Sequence, residues 1–171
     1  DAALYASSHN LMLGTSPTEF SPNITMTRGM LVTVLYRMNG SPSVSGKTPF
    51  TDVRTDEWYS AAVLWAYQNG IVTGMSDTTF APINNVTREQ MATILFRYTK
   101  TAAPDKAKAS ADLSGFADAG SVNDWAVDAM RWAVGQKLIA GITLEQSVYL
   151  QPRGNATRAQ AATVLTRYYA Q

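Results

Sequence analysis

Residues 70–90 read GIVTGMSDTTFAPINNVTREQ, a segment that stops one helix, turns the chain and starts another. Asn69-Gly70 ends the first helix, Ile71 to Gly74 turn, and Phe80 and Pro82 pin a loop. Thr87 with Gln90 then forms a Thr-x-x-Gln capping box, in which the Thr hydroxyl takes the third helical amide and the Gln reaches back to the cap amide. Beyond it, Met91, Ile94, Leu95 and Tyr98 fall at i, i+3, i+4 and i+7, the apolar stripe of an amphipathic helix. Upstream, Trp58, Ala62, Trp65 and Ala66 mark a second stripe, with Asp56 placed to cap it.

This unit recurs. A shift of 60 residues pairs Gly14 with Gly74, Phe20 with Phe80, Pro22 with Pro82, Thr27-Arg28 with Thr87-Arg88, and Arg37 with Arg97. A shift of 67 carries Trp58, Trp65 and Gly74 onto Trp125, Trp132 and Gly141, and 70 carries Pro82 and Thr87-Arg88 onto Pro152 and Thr157-Arg158. The change places a three-residue insertion between Thr143 and Tyr149. The predicted organisation is repeat 1 over 1–39, repeat 2 over 50–98 and repeat 3 over 116–170, together one globular module. Asp1 aligns with Ala61, so repeat 1 is expected to lack its front half, its seam exposing Leu4 and Leu11. Residue 1 then reads as an internal cut. Gly40 to Pro49 and Thr99 to Gly115 read as surface linkers.

Two helices and a loop cannot enclose a core, so the repeats are expected to pack together, a mainly α fold around a pseudo-three-fold axis. Each Trp, Leu or Tyr buried at a seam contributes on the order of 1.5 to 3 kcal/mol. With 46% hydrophobic and 16% charged residues the chain has material for one core rather than a disordered tail. A net charge of +1 offers no broad positive field, arguing against nucleic acid or an anionic membrane as partner. No cysteine and one histidine, His9, leave no thiol nucleophile and no ordinary zinc site. No run is long enough to span a bilayer, and no acidic calcium loop is present, so no cofactor is expected. His9 reads as a polar residue at a helix end, in the helix where Tyr5 replaces Trp65.

The set Phe50-x-Asp52-Val53, Trp58, Gly70-Ile71-Val72-x-Gly74, Phe80-x-Pro82 and Thr87-Arg88-Glu89-Gln90 resembles the signature of the S-layer homology family over nearly the whole chain. Thr27-Arg28-Gly29-Met30 and Thr157-Arg158-Ala159-Gln160 depart from the family's Thr-Arg-Ala-Glu quartet. The resemblance implies a three-pronged helical spindle whose inter-repeat grooves bind secondary cell-wall polysaccharide, often bearing pyruvyl ketals, and so attach a secreted protein noncovalently to a Gram-positive-type wall.

The residues support that implication unevenly. Arg28, Arg88 and Arg158 each occupy the first position of a helix, where the dipole disfavours a cation by about 0.3 to 1 kcal/mol. A guanidinium beside free helix amides suits a carboxylate, and pairing with Asp52 or Asp118 is the structural alternative. Trp58 and Trp125 stand near helix starts and are candidates for stacking on sugar, whereas Trp65 and Trp132 read as core. Gly14, Gly74 and Gly141 serve a turn or a close approach to ligand. Asp52 and Asp118 either bind sugar hydroxyls or cap backbone. Arg37, Arg97 and Arg167 read as cations favoured at helix C-termini.

Two other functions compete. A glycan-cleaving enzyme needs two carboxylates with different tuning, and equivalent positions in separate grooves do not supply that contrast. A protein-interaction scaffold would use the same grooves, or the open seam of repeat 1 for dimerisation or completion by a fragment.

Overall fold

The computed structural model describes residues 2–9, 12–16, 18–108 and 110–170. Its elements are α1 (Ala2–Ser8), α2 (Arg28–Met38), α3 (Ser60–Gln68), α4 (Arg88–Ala102), α5 (Val127–Gly135), β1 (Ile142–Leu144), β2 (Ser147–Tyr149) and α6 (Arg158–Tyr169). The Thr-x-x-Gln capping signal acts as read. Thr87 and Thr157 are extended, and each closes a full box with Gln90 or Gln160. Thr27 makes only half a box, because Met30 has no group to return to the cap amide.

The residue before each cap ties the repeats together. Met26 N–H donates to Ala156 O (2.8 Å), Ala156 N–H to Val86 O (2.9 Å), and Val86 N–H to Met26 O (2.9 Å), a closed cycle among equivalent, fully buried positions. The first helix of each repeat packs on the second helix of the one before: α3 on α2, α5 on α4, and α1 on α6, which closes the ring. The stripe residues Leu31, Leu35, Met91, Leu95, Ala161 and Leu165 fill the space between, with Trp65 and Trp132 buried as expected.

Three expectations need correction. Asp56 does not cap α3: its carboxylate pairs with Arg54 at 2.7 Å, the helix begins at Ser60, and Trp58 lies outside the buried stripe. The turn over 54–59 thereby moves Trp58 to the surface. The Thr99–Gly115 stretch is not a loose linker. α4 runs on to Ala102, Thr99 is buried, and a 3-10 turn at Pro104–Ala107 brings Lys106 O to Trp132 Nε1 (2.9 Å). Likewise the 40–49 segment is held by Tyr36 Oη donating to Pro42 O and Gln68 Nε2 donating to Ser45 O, both at 2.8 Å.

The three-residue insertion folds as the β1–β2 hairpin, turning at Glu145 with φ 54°. On α1, Leu4 is 70% exposed, while Leu11 lies outside the described residues. His9 stacks on Tyr5 with ring centroids 3.9 Å apart.

Candidate functional site

The helix N-termini are the natural place to look for an anion site, and their amides are already used. Arg28 N–H donates to Asn84 O and Gly29 N–H to Pro82 O; Arg88 and Glu89 donate to Gly154 and Pro152; Arg158 and Ala159 donate to Ile24 and Pro22, all at 2.8–2.9 Å. The expectation of free helix amides for a carboxylate is therefore overturned: the loop of the next repeat supplies the acceptors, and this bonding is what joins the repeats. An incoming anion meets side chains only.

The three arginine side chains follow the same cyclic logic. Each is 5% exposed. Nε of Arg28, Arg88 and Arg158 donates to Phe80 O, Leu150 O and Phe20 O at 2.8–2.9 Å. Arg28 and Arg158 also lie over the Phe80 and Phe20 rings at 4.7 and 4.8 Å. None forms an ion pair, the pairs among the described residues being Arg54–Asp56 and Lys108–Asp105. Burial lowers the pKa of all three. Arg28 is pushed down to about 10, mainly by burial, with Asp52 opposing and Arg97 adding to the fall, and it remains charged at neutral pH.

Asp52 and Asp118 set the loops that receive these arginines. Asp52 accepts from Phe80 N (2.9 Å) and Ala81 N (2.7 Å), and Asp118 accepts from Leu150 N (2.7 Å) and Gln151 N (2.8 Å). Ala81 and Gln151 have φ of 58° and 49°, so each carboxylate holds a left-handed residue in place. Both oxygens of each are thus bound to backbone. Gly14, Gly74 and Gly141 have no room for a Cβ, the obstacle lying in their own repeats: Ser16 O, Ser76 O and the Val148 side chain respectively.

Two grooves gather the remaining candidates, each from all three repeats. One, of about 230 Å³, is lined by Arg28 of repeat 1, Gly74 and Arg97 of repeat 2, and Trp125 of repeat 3. The other, about 210 Å³, is lined by Arg158, Gly14, Arg37 and Trp58. Trp58 and Trp125 are 58% and 53% exposed. Arg88 joins neither, while Gly141 lines a separate open hollow with Val148 and Arg167. Reading Arg37 and Arg97 as helix-end cations missed that they face a groove.

The third residue of the motif fits a different neighbour in repeats 1 and 2. Glu89, 2% exposed, accepts from Asn123 N (3.0 Å) and Asn123 Nδ2 (2.5 Å), just before Trp125. At Gly29 a Cβ would lie 2.9 Å from Pro82 O and 3.4 Å from the Tyr59 ring, so the Pro82 carbonyl is the main obstacle, with Tyr59 closing the space beside it. Glu89→Ala leaves its own buried site empty, orphans the part-buried amide of Asn123 and removes two charge-assisted bonds, and is expected to cost about 3 kcal/mol in urea unfolding.

The sequence profile of the S-layer homology domain matches residues 49–92 and 115–162. An endoglucanase of Bacillus sp. (strain KSM-635) is 34% identical over 91% of the chain, the surface-layer 125 kDa protein of Lysinibacillus sphaericus 32% over 90%, and an amylopullulanase of Thermoanaerobacterium thermosulfurigenes 29% over 92%. The chain spans only 16%, 12% and 8% of these relatives. No helix among the described residues is long and apolar enough to cross a membrane.

Proposed function

Because the chain belongs to the S-layer homology domain family, we propose that it is a non-catalytic module that anchors a larger secreted protein to the bacterial cell wall. It does so by holding secondary wall polysaccharide in grooves between its repeats. Relatives named as a surface-layer protein, an endoglucanase and an amylopullulanase each match this segment over a small share of their own length, as expected of a common attachment device joined to different cargo.

The observation that carries the reading is the groove of Arg28, Arg97 and Trp125. Two guanidinium groups face a space of about 230 Å³, one wall of which is a half-exposed indole. An indole gives a sugar ring a flat apolar face, and paired guanidinium groups with few acceptors favour a carboxylate, such as that of a pyruvyl ketal. The groove of Arg158, Arg37 and Trp58 has the same plan. The cycle through Met26, Val86 and Ala156 supports a spindle with a pseudo-three-fold axis, which relates the two grooves to each other. The bonding of Asp52 and Asp118 to backbone supports a non-catalytic role, since neither oxygen pair is available as an acid or nucleophile.

Purified protein should sediment with sacculi of a Gram-positive S-layer bacterium, and acid extraction of the secondary polysaccharide should abolish this. Trp125→Ala should fold normally, its ring being exposed, and bind about tenfold more weakly. Binding that survives extraction, with the Trp125 variant equal to wild type, would point instead to a protein partner.

A further inference from the structure

The three motif arginines look equivalent in sequence, yet their terminal amines are in different states. Arg88 Nη2 donates to Ala140 O (3.3 Å), and its fellow at the helix end, Arg167, donates through Nη1 to Lys137 O (3.5 Å) and Leu138 O (3.1 Å). Arg158 Nη2 donates to Leu13 O at 2.6 Å, a strong bond, while Arg37 is exposed and its side chain makes no hydrogen bond among the described residues. Arg28 donates through Nε alone, so among the described residues no protein acceptor takes either of its terminal amines. Its companion Arg97 has only a long 3.4 Å contact to Thr73 Oγ1.

We propose that the Arg28–Arg97 groove is this module's principal carboxylate-binding site, and that Arg88 and Arg167 are structural residues that take no part in ligand binding. This rests on the anchoring reading above and adds which groove does the work. A side chain 95% buried that still keeps two donors turned to a groove has had its desolvation met without being paired, so a carboxylate gains those donors without displacing any protein bond. At Arg88 the anion would first have to break bonds to backbone carbonyls. Gln90 strengthens the contrast. The residue lines the same groove, and its amide nitrogen has only the sulfur of Met75 as partner at 3.7 Å, whereas the equivalent position of the second groove is Met30, which has no donor. The groove of Arg158 and Arg37 is therefore a secondary site, without the Arg158 Nη2 donor, which Leu13 O holds, and without a counterpart of the Gln90 amide.

The test uses a methyl hexoside carrying a 4,6-pyruvyl ketal, with the ketal-free glycoside as control, titrated calorimetrically and followed by the indole N–H resonances of the 15N-labelled chain. The Trp125 signal should move at lower ligand concentration than that of Trp58. Arg28→Gln should weaken ketal binding tenfold or more, whereas Arg88→Gln and Arg167→Gln stay within twofold of wild type. Arg97→Gln guards against a folding defect at the buried Arg28, because it changes a half-buried position within α4, and should weaken binding about fivefold. Equal losses from Arg28→Gln and Arg88→Gln, both folded by circular dichroism, would overturn the assignment, as would wild-type protein that does not distinguish the two glycosides. In either case extraction-sensitive binding to sacculi would leave anchoring itself standing.

Discussion

Gly74→Ala should lower the melting temperature by about 6–12 °C, the consequence of roughly 3 kcal/mol in a domain of this size. A Cβ here would lie 2.5 Å from Ser76 O, 2.6 Å from Phe50 Cε1 and 2.9 Å from Thr79 O. These neighbours cannot give way easily. Thr79 O already accepts from Met75 N (2.7 Å) and Ser76 N (3.2 Å), and Phe50 is buried against Phe80. With φ at +85°, a side chain adds about 1 kcal/mol of backbone strain to an overpacking cost of about 1–3 kcal/mol. Gly70→Ala separates the two terms: φ is +67°, but nothing lies within 4 Å of the new Cβ. Thermal scans should show it losing only about 1 kcal/mol. Equal losses at the two glycines would mean that crowding at Gly74 is relieved, and that its role is purely conformational.

The second large effect is expected at Asp52. Asp52→Ala removes both acceptors from the amides of Phe80 and Ala81 and releases a left-handed residue, so urea unfolding should record a loss of about 2–4 kcal/mol. Four residues on, Asp56→Ala should cost less than about 1 kcal/mol, because Asp56 pairs with Arg54 on side chains 64% and 71% exposed. The Asp52 variant should also bind sacculi more weakly, though Asp52 lines neither groove, because the loop it holds presents Phe80 O to Arg28. An Asp52→Ala variant as stable as Asp56→Ala would show that the loop keeps its shape without the carboxylate.

Much of this architecture was legible because its signals are local. A capping box is complete within four residues, and a 3.6-residue stripe marks its buried face wherever the helix ends up. The insertion between Thr143 and Tyr149 announced itself as a shift in repeat spacing, and it became a hairpin. Where the signal was weaker, the reading failed in an understandable way. Asp56 has the right chemistry for a cap, but Arg54 beside it competes for the carboxylate. The Ala- and Lys-rich stretch after Thr99 lacks hydrophobic periodicity, yet its backbone carbonyl at Lys106 is what buried Trp132 needs for its indole N–H.

The candidate site was legible as a set of residues and illegible as an arrangement. Arg28, Gly74 and Trp125 were each singled out, but nothing in the chain places three residues from three repeats around one groove. Register alone pairs Arg28 with Gly14, whereas the cyclic packing of each first helix on the previous repeat brings it to Gly74.

The sequence by itself determined the repeat, the helix boundaries at Thr27, Thr87 and Thr157, the buried stripes and the family. All of these follow from interactions between residues a few positions apart, or from copies of one pattern. Tertiary structure alone decided that the helix N-terminal amides are consumed by the neighbouring repeat, that Asp52 and Asp118 serve backbone, and that one arginine of three keeps its terminal amines free. Whether a donor is spent depends on which carbonyl lies within about 3 Å of it. That carbonyl belongs to a segment 50 or more residues away, whose own sequence carries no mark of the partner it will meet.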